Sequence, residues 1–221
     1  METIQDFFVI ILTVCRLFLS NFTIQSPLLW NYLFGHHPQA EIEGAAYKLF
    51  SPFRHRRLYD GPVVLPTSKD ATPILLSLRV LDGTTRKPIP AAVLDVWQVD
   101  PRHVGPHSLG YSLFGYNCRG KFVTDENSAR EIETLMPVPY GPQSLQRSAH
   151  IHFIVSAYGY ESFTSQLYID PERKFTKHDF ANWWRESRDI LHVEPKDGKL
   201  EYEFLLWPKY AKKAGRDFKM V

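Results

Sequence analysis

The sequence predicts a mainly β protein, a β-sandwich of mixed-topology sheets with an N-terminal helical segment and one late helix. Two observations support this fold class. From Pro73 onward, short runs rich in aliphatic, β-branched and aromatic residues alternate with Gly, Pro, Asn and Asp turns, which is typical of a sandwich. The chain has 221 residues with 44% hydrophobic and 14% aromatic content, which is enough to bury one full core.

Residues 1–42 are predicted to be a helical and linker segment that precedes the main domain. The apolar positions repeat at helical spacing, and proline at position 27 favours an end to the helix before it. These positions are Ile4, Phe7, Phe8, Ile11, Cys15, Phe18 and Leu19. We expect this amphipathic helix to pack against a second copy of the chain and so to form a homodimer.

A signal peptide or membrane anchor is the alternative interpretation of the same segment. Glu2 and Asp6 occupy what would be a positively charged leader, and Arg16 interrupts the apolar run. The run is also shorter than the roughly 20 apolar residues of a membrane span. We therefore expect a cytoplasmic protein without a membrane partner, and keep secretion or membrane association as the alternative.

Residues 43–221 are predicted to form the β-sandwich domain, which we expect to be catalytic. Asp82-Gly83 is a hairpin-type turn signal after the first strand, and residues 125–128 form another turn. A late helix is predicted over 177–191, with Trp183 and Trp184 as packing residues. The predicted strands are 74–81, 92–99, 121–124, 132–135, 150–157, 163–169 and 199–206.

Charge and cysteine content narrow the functional classes. The formal net charge is +2, and the chain has no basic block of the length that nucleic-acid binding usually requires. The two cysteines, Cys15 and Cys118, lack the spacing of a thiolate metal site, and their small number fits a reducing compartment.

One stretch carries the residues of a candidate metal site. Tyr140 precedes His150 and His152 by about a dozen residues, and the alternation of a strand places both imidazoles on one face. The alternative is a chance His-x-His pair on a half-exposed strand. The long loop before this stretch holds Tyr111 and Tyr116, which are either further ligands or ordinary aromatic cover over the core. The adjacent His36 and His37 are not expected to converge on one ion.

Several motifs in order resemble the intradiol ring-cleavage dioxygenases, which open an aromatic ring between two neighbouring hydroxyls. The resemblance spans roughly residues 43–206. The matching motifs are PIP at 88–90, LDVWQVD at 94–100, GYS at 110–112, RGKFVTD at 119–125, PVPYG at 137–141, RSAHIHF at 147–153 and TSQLY at 164–168. Two positions depart from the family pattern, Ser128 in place of a turn glycine and Arg130 in place of an aromatic residue.

The resemblance implies a mononuclear iron(III) centre. Its ligands would be Tyr111, Tyr140, His150 and His152, with Tyr116 a competitor for the role of Tyr111. Phenolate oxygens suit a hard ferric ion. The substrates would be a small aromatic diol of catechol or hydroxyquinol type and O2, and the product a muconate-type diacid.

The family mechanism also implies roles for individual residues. The diol displaces Tyr140, which accepts a substrate proton as general base. Tyr111 and His152 are implied to be equatorial ligands and His150 an axial one. Arg147 is implied to stabilise negative charge on the ring oxygens, and Gln166 to lie near the substrate. The alternatives are a sandwich of the same family turned to non-oxidative chemistry, such as an isomerase or cyclase, or to ligand binding alone.

Overall fold

A computed structural model describes residues 37–41, 47–61, 71–103, 115–140, 147–169 and 189–209. These residues contain seven strands and two short 3₁₀ helices, Pro101–His103 and Asp189–Leu191. The strands are β1 (Pro73–Asp82), β2 (Val93–Trp97), β3 (Arg119–Val123), β4 (Ala129–Leu135), β5 (His150–Ser156), β6 (Phe163–Tyr168) and β7 (Lys199–Leu206). Each predicted strand is confirmed, with ends that differ by at most three residues.

The strands form two sheets. The three-stranded sheet has the order β4-β1-β7, with β1 antiparallel to β4 and parallel to β7. The four-stranded sheet has the order β3-β2-β5-β6, and all of its neighbouring pairs are antiparallel. The prediction of a mainly β, sandwich-like protein is therefore confirmed. The predicted N-terminal helix lies outside the described residues, as do positions 177–188 of the predicted late helix.

Alternation along the strands builds one core between the sheets. On β1, Leu76, Leu78 and Val80 are buried, while residues between them are more exposed. Ile151, Phe153 and Val155 supply the same kind of face on β5. The rings of Phe153 and Phe204 lie 5.0 Å apart and join the two sheets. Because the core covers one face of β5, the histidines between these residues must point to the opposite face.

The turn that Asp82-Gly83 predicts after β1 is confirmed, and the chain beyond it does not form a continuous hairpin. The turn itself is present, and the Asp82 carboxylate accepts hydrogen bonds from the backbone N–H groups of Thr84 and Thr85. The returning chain makes a single bridge, between Leu81 and Pro88, and β2 then joins the other sheet. Prolines 88 and 90 have no backbone N–H to donate, and this interrupts a continuing ladder.

Among the described residues, no helix combines the length and apolar character that crossing a membrane requires. The prediction that the chain has no membrane partner depends on residues 1–36, which lie outside the described part. It therefore stays a prediction.

Ser128 has the left-handed backbone that a turn glycine adopts without strain. Its φ is +61°, and it closes the turn before β4 by donating its backbone N–H to the carbonyl of Asp125. Its side chain is fully buried, and its hydroxyl has no hydrogen-bond partner among the described residues. The departure from glycine at this position therefore costs stability.

Ser128→Gly is expected to stabilise the fold by about 1 kcal/mol, because glycine adopts a positive φ without steric cost. Urea unfolding would measure the change. Ser77→Gly is the matched control, since Ser77 lies within β1 and is absent from the residues with positive φ. That control should lose about 0.5–1 kcal/mol. A loss of stability in Ser128→Gly would contradict the assignment of strain.

His37 has a structural role at the edge of the core. Its Nε2–H donates to the carbonyl of Leu205 at 2.9 Å, and its Nδ1 accepts the backbone N–H of Gln39 at 3.1 Å. Its ring stacks on Phe163 at 3.8 Å between centroids. Burial lowers the pKa of His37 to about 4, against a smaller raising effect of the Leu205 hydrogen bond. The imidazole is therefore neutral in the folded protein at neutral pH.

The stability of the fold should fall as pH drops from 6.5 towards 4, because the unfolded chain protonates His37 first. His37→Gln should make the free energy of unfolding less dependent on pH in this window, by up to about 1.4 kcal/mol per pH unit. Urea unfolding at several pH values measures the slope. His55→Gln, at an exposed position, is the control and should leave the slope unchanged. Equal slopes in both variants would contradict a buried neutral His37.

Candidate active site

The candidate site lies on the face of the four-stranded sheet that points away from the core. Residues directly opposite each other in antiparallel strands share a face. The pairs Arg119–Trp97, Trp97–His152 and His152–Gln166 therefore align four side chains in one row across β3, β2, β5 and β6. All four side chains are buried. The outer face of this sheet is thus a covered polar surface.

His150 and His152 lie on one face of β5, as their spacing predicts. Both side chains are only 1% exposed, so the alternative of a pair on a half-exposed strand is wrong. Ile151, between them, points into the core. The Nε2 atoms of the two histidines are 2.9 Å apart. Two nitrogens this close are stabilised by a shared proton or a shared cation.

Tyr140 reaches the same point through a backbone bridge. Its N–H donates to the carbonyl of Arg147 at 3.2 Å, and the Arg147 N–H donates to the Tyr140 carbonyl at 2.8 Å. This bridge places the Tyr140 hydroxyl 3.3 Å from the Nε2 of His150. Sequence reasoning placed this tyrosine near the histidines, and the structure brings the three side chains together.

Both histidines are neutral in the folded protein. Burial lowers the pKa of His150 well below its usual value, and the Arg147 charge lowers it further. Burial also lowers the pKa of His152 strongly, with additional effects of His150, Arg147 and Arg119. The Nδ1 of His150 faces the carbonyl oxygen of Ser148, so Nδ1 carries the proton and donates it. The Nε2 lone pair of His150 therefore points to Tyr140 and His152.

The Nε2 of His150 is spaced from each of the other two donor atoms as neighbouring ligands of one ion are. Donors bonded at about 2.1 Å and at right angles lie about 3.0 Å apart. The observed separations of 2.9 Å and 3.3 Å are close to this value. Two neutral imidazoles and a phenol also match the nitrogen and hard oxygen donors that ferric iron accepts. The described residues hold no cluster of three or more His, Cys, Asp or Glu side chains suited to a metal.

Of the two loop tyrosines, the structure describes only Tyr116. Its hydroxyl donates to the backbone oxygen of Leu49 at 3.0 Å, and Leu49 is exposed. This contact directs the hydroxyl to the exposed segment rather than to the buried histidines. Tyr111 lies outside the described residues, which stop at position 103 and resume at 115.

Arg147 and Gln166 form a buried polar pair beside the histidines. An Arg147 guanidinium N–H donates to Oε1 of Gln166 at 2.7 Å, and both side chains are buried. Gln166 sits opposite His152 in the β5–β6 ladder. Sequence reasoning selected both residues only through the family resemblance, and the structure places them at the same site.

Sequence reasoning did not select three residues that the structure places at the site: Trp97, Tyr47 and Asp95. Trp97 stacks on His152, Tyr47 packs against Trp97, and the Asp95 carboxylate accepts the hydroxyl of Tyr47 at 3.0 Å. Burial raises the pKa of Asp95, opposed by hydrogen bonds from Ser51 and Tyr47 and by the charge of Lys121. Only the alternation of 95 and 97 along a strand could have indicated that Asp95 and Trp97 share a face.

Comparison with known proteins identifies relatives of the chain. A family model described as Dioxygenase matches residues 60–197, more than half of the chain. Catechol 1,2-dioxygenase of Acinetobacter baylyi is 29% identical over 178 residues, which cover 71% of this chain and 53% of that protein. Chlorocatechol 1,2-dioxygenase of Rhodococcus opacus is 29% identical over 161 residues, which cover 62% of this chain and 58% of that protein.

A solved structure shows the same fold. The structure of catechol 1,2-dioxygenase from Acinetobacter radioresistens matches with a TM-score of 0.66 and 22% identity. The match covers 95% of this chain and 76% of that one. The chain spans little more than half the length of the two curated relatives that it matches.

Proposed function

The chain belongs to the intradiol ring-cleavage dioxygenase family, and on that premise we propose that it cleaves an aromatic ortho-diol with O2 to a muconate-type diacid. The observation that carries the proposal is the convergence at the Nε2 of His150, which lies 3.3 Å from the Tyr140 hydroxyl and 2.9 Å from the Nε2 of His152. A fold alone supports many functions, so the proposal rests on this donor set, whose imidazole nitrogens and hard oxygen suit iron.

The donor set fits ferric iron, with Tyr140, His150 and His152 as three ligands and Tyr111 proposed as the fourth. Iron(III) would supply the Lewis-acid and redox chemistry that allows a diol to react with O2. The neutral state of both histidines keeps their lone pairs available for the metal. The contact between Tyr116 and Leu49 supports Tyr111 over Tyr116 for the remaining position.

Tyr140 is proposed as the residue that accepts a proton from the substrate. A phenol ordinarily titrates near 10, so its ionised form at neutral pH requires a nearby positive charge. The buried site contains Arg147, and the proposed cation would add to that positive field. In the ionised form, the Tyr140 oxygen can take the proton of a substrate hydroxyl within hydrogen-bond reach.

Arg147 is proposed to stabilise the negative charge that develops on the substrate oxygens. Its side chain is buried, so its charge acts through a medium that screens it weakly. The hydrogen bond to Gln166 orients the guanidinium before substrate arrives, and the backbone bridge holds Arg147 next to Tyr140 in the chain path. Preorganisation of this kind is usually the largest electrostatic contribution to a rate.

A catechol-type or hydroxyquinol-type ring is the proposed substrate class. The relatives are named for catechol and for chlorocatechol, and both compounds are single aromatic rings with two neighbouring hydroxyls. These shared features are the ones that a site with one proton acceptor and one cation can recognise.

The purified protein loaded with iron(III) should be red to purple, because phenolate ligands give a charge-transfer absorption in the visible range. Tyr140→Phe should shift this band and abolish ring cleavage, since it removes both a ligand and the proton acceptor. Visible spectra and oxygen uptake with catechol would test this. Tyr116→Phe is the matched control and should keep both band and activity. A protein that stays colourless after iron addition would contradict the proposed iron site.

Arg147→Ala should keep the visible band and lower kcat/KM about 10²–10³-fold, because it removes the charge that faces the developing oxyanion. Arg79→Ala is a suitable control, since Arg79 is exposed on β1 in the other sheet. Oxygen uptake over a range of catechol concentrations provides the measurement. An Arg147→Ala enzyme with full activity would exclude this role for the guanidinium.

A further inference from the structure

The two histidines of the site are held in different ways. His150 donates its Nδ1–H to the carbonyl of Ser148, whereas the Nδ1 of His152 is buried with no hydrogen-bond partner among the described residues. A metal-binding histidine usually donates its second ring nitrogen to a carboxylate, a carbonyl or water, and this bond sets the orientation of the ring. The ring of His152 must therefore be oriented by packing.

Trp97 supplies that packing. Its indole lies parallel to the His152 imidazole, with centroids 4.7 Å apart and an interplanar angle of 2°. The two residues are direct partners in the β2–β5 ladder. His152 also meets the ring of His150 nearly edge-on, at 4.5 Å between centroids and an angle of 82°. A flat indole on one face opposes tilting of the imidazole out of its plane.

Tyr47 in turn supports Trp97. The two rings lie 5.0 Å apart at an angle of 59°. The Tyr47 hydroxyl donates to Oδ2 of Asp95 at 3.0 Å, while Ser51 donates to Oδ1 of the same carboxylate at 2.9 Å. Asp95 is therefore an anchor that ties both ends of segment 47–51 to β2. Because Asp95 and Trp97 alternate along β2, they lie on the same face of the sheet.

We propose that Asp95, Tyr47 and Trp97 form a positioning relay that orients the His152 imidazole for metal binding. The relay rests on the proposed function, since a fixed ring orientation serves His152 as a ligand. Asp95 holds the tyrosine hydroxyl, the tyrosine ring holds the indole, and the indole holds the imidazole. All three are positioning residues, because each acts on the metal ligand through a neighbour.

The relay is first tested without metal, so that its outcome is independent of iron. In the whole 221-residue chain, free of metal and labelled at histidine, the stacked indole should shift the Cε1–H resonance of His152 upfield. Trp97→Leu should remove this shift, and Tyr47→Phe should reduce it, because the phenylalanine ring has no hydroxyl for Asp95 to hold. The His150 resonance serves as an internal reference, since the Ser148 carbonyl orients that ring.

The second measurement is the rate at which a chelator removes iron(III) from the loaded protein. Loss of a residue that orients a metal ligand typically weakens metal binding 10–100-fold. Trp97→Leu should accelerate iron release by about 10–100-fold, and Tyr47→Phe should accelerate it by about 3–10-fold, as a partial loss of the same constraint. Trp97→Phe should restore a rate close to that of the unchanged protein, because it keeps a flat ring against His152.

Trp207→Leu is the matched control for the loss of a tryptophan. Trp207 meets His37 edge-on at 4.7 Å, so its replacement costs packing but leaves the relay intact. It should change neither the His152 resonance nor iron release. If Trp97→Leu fails to fold, the Tyr47→Phe variant still tests the relay. A Tyr47→Phe protein equal to the unchanged protein in both measurements overturns the relay. An unchanged protein that takes up no iron refutes the proposed function, and the resonance measurement then decides the relay alone.

Discussion

The burial of two neutral imidazoles side by side is the constraint on which the rest of the site depends. Each imidazole loses its hydration, and the nearby charge of Arg147 adds to the cost of protonating either ring. The fold keeps both rings neutral and places their Nε2 atoms 2.9 Å apart. Burying two such rings together is unfavourable unless they share a proton or a cation.

The sandwich supplies the rigidity that this arrangement needs. β5 lies inside the four-stranded sheet, so ladders to β2 and β6 hold it on both sides. The apolar residues that alternate with the histidines along β5 pack against the opposite sheet, as the contact of Phe153 with Phe204 shows. A shift of β5 by one residue would move the histidines into the core and the core residues to the site. Stability and site geometry therefore depend on the same register.

Sequence patterns predicted most of the fold and the centre of the site. Turn residues and apolar runs gave the strands, and the period of two put His150 and His152 on one face. The Asp-Gly turn after β1 was predicted from its residues, whereas the departure of β2 to the other sheet was not. Trp97 was missed as a neighbour of His152 because the two residues pair across strands although they lie 55 positions apart in the sequence. Local patterns carry no information about a pairing of that range, and the same limit hid the contact between Tyr47 and Asp95.

The bridge between Tyr140 and Arg147 has a consequence for how this protein can diversify. Its two hydrogen bonds involve only backbone atoms, so the pairing of positions 140 and 147 does not depend on which side chains stand there. A substitution at either position can therefore change the chemistry of the site while the path of the chain that brings the two positions together is kept.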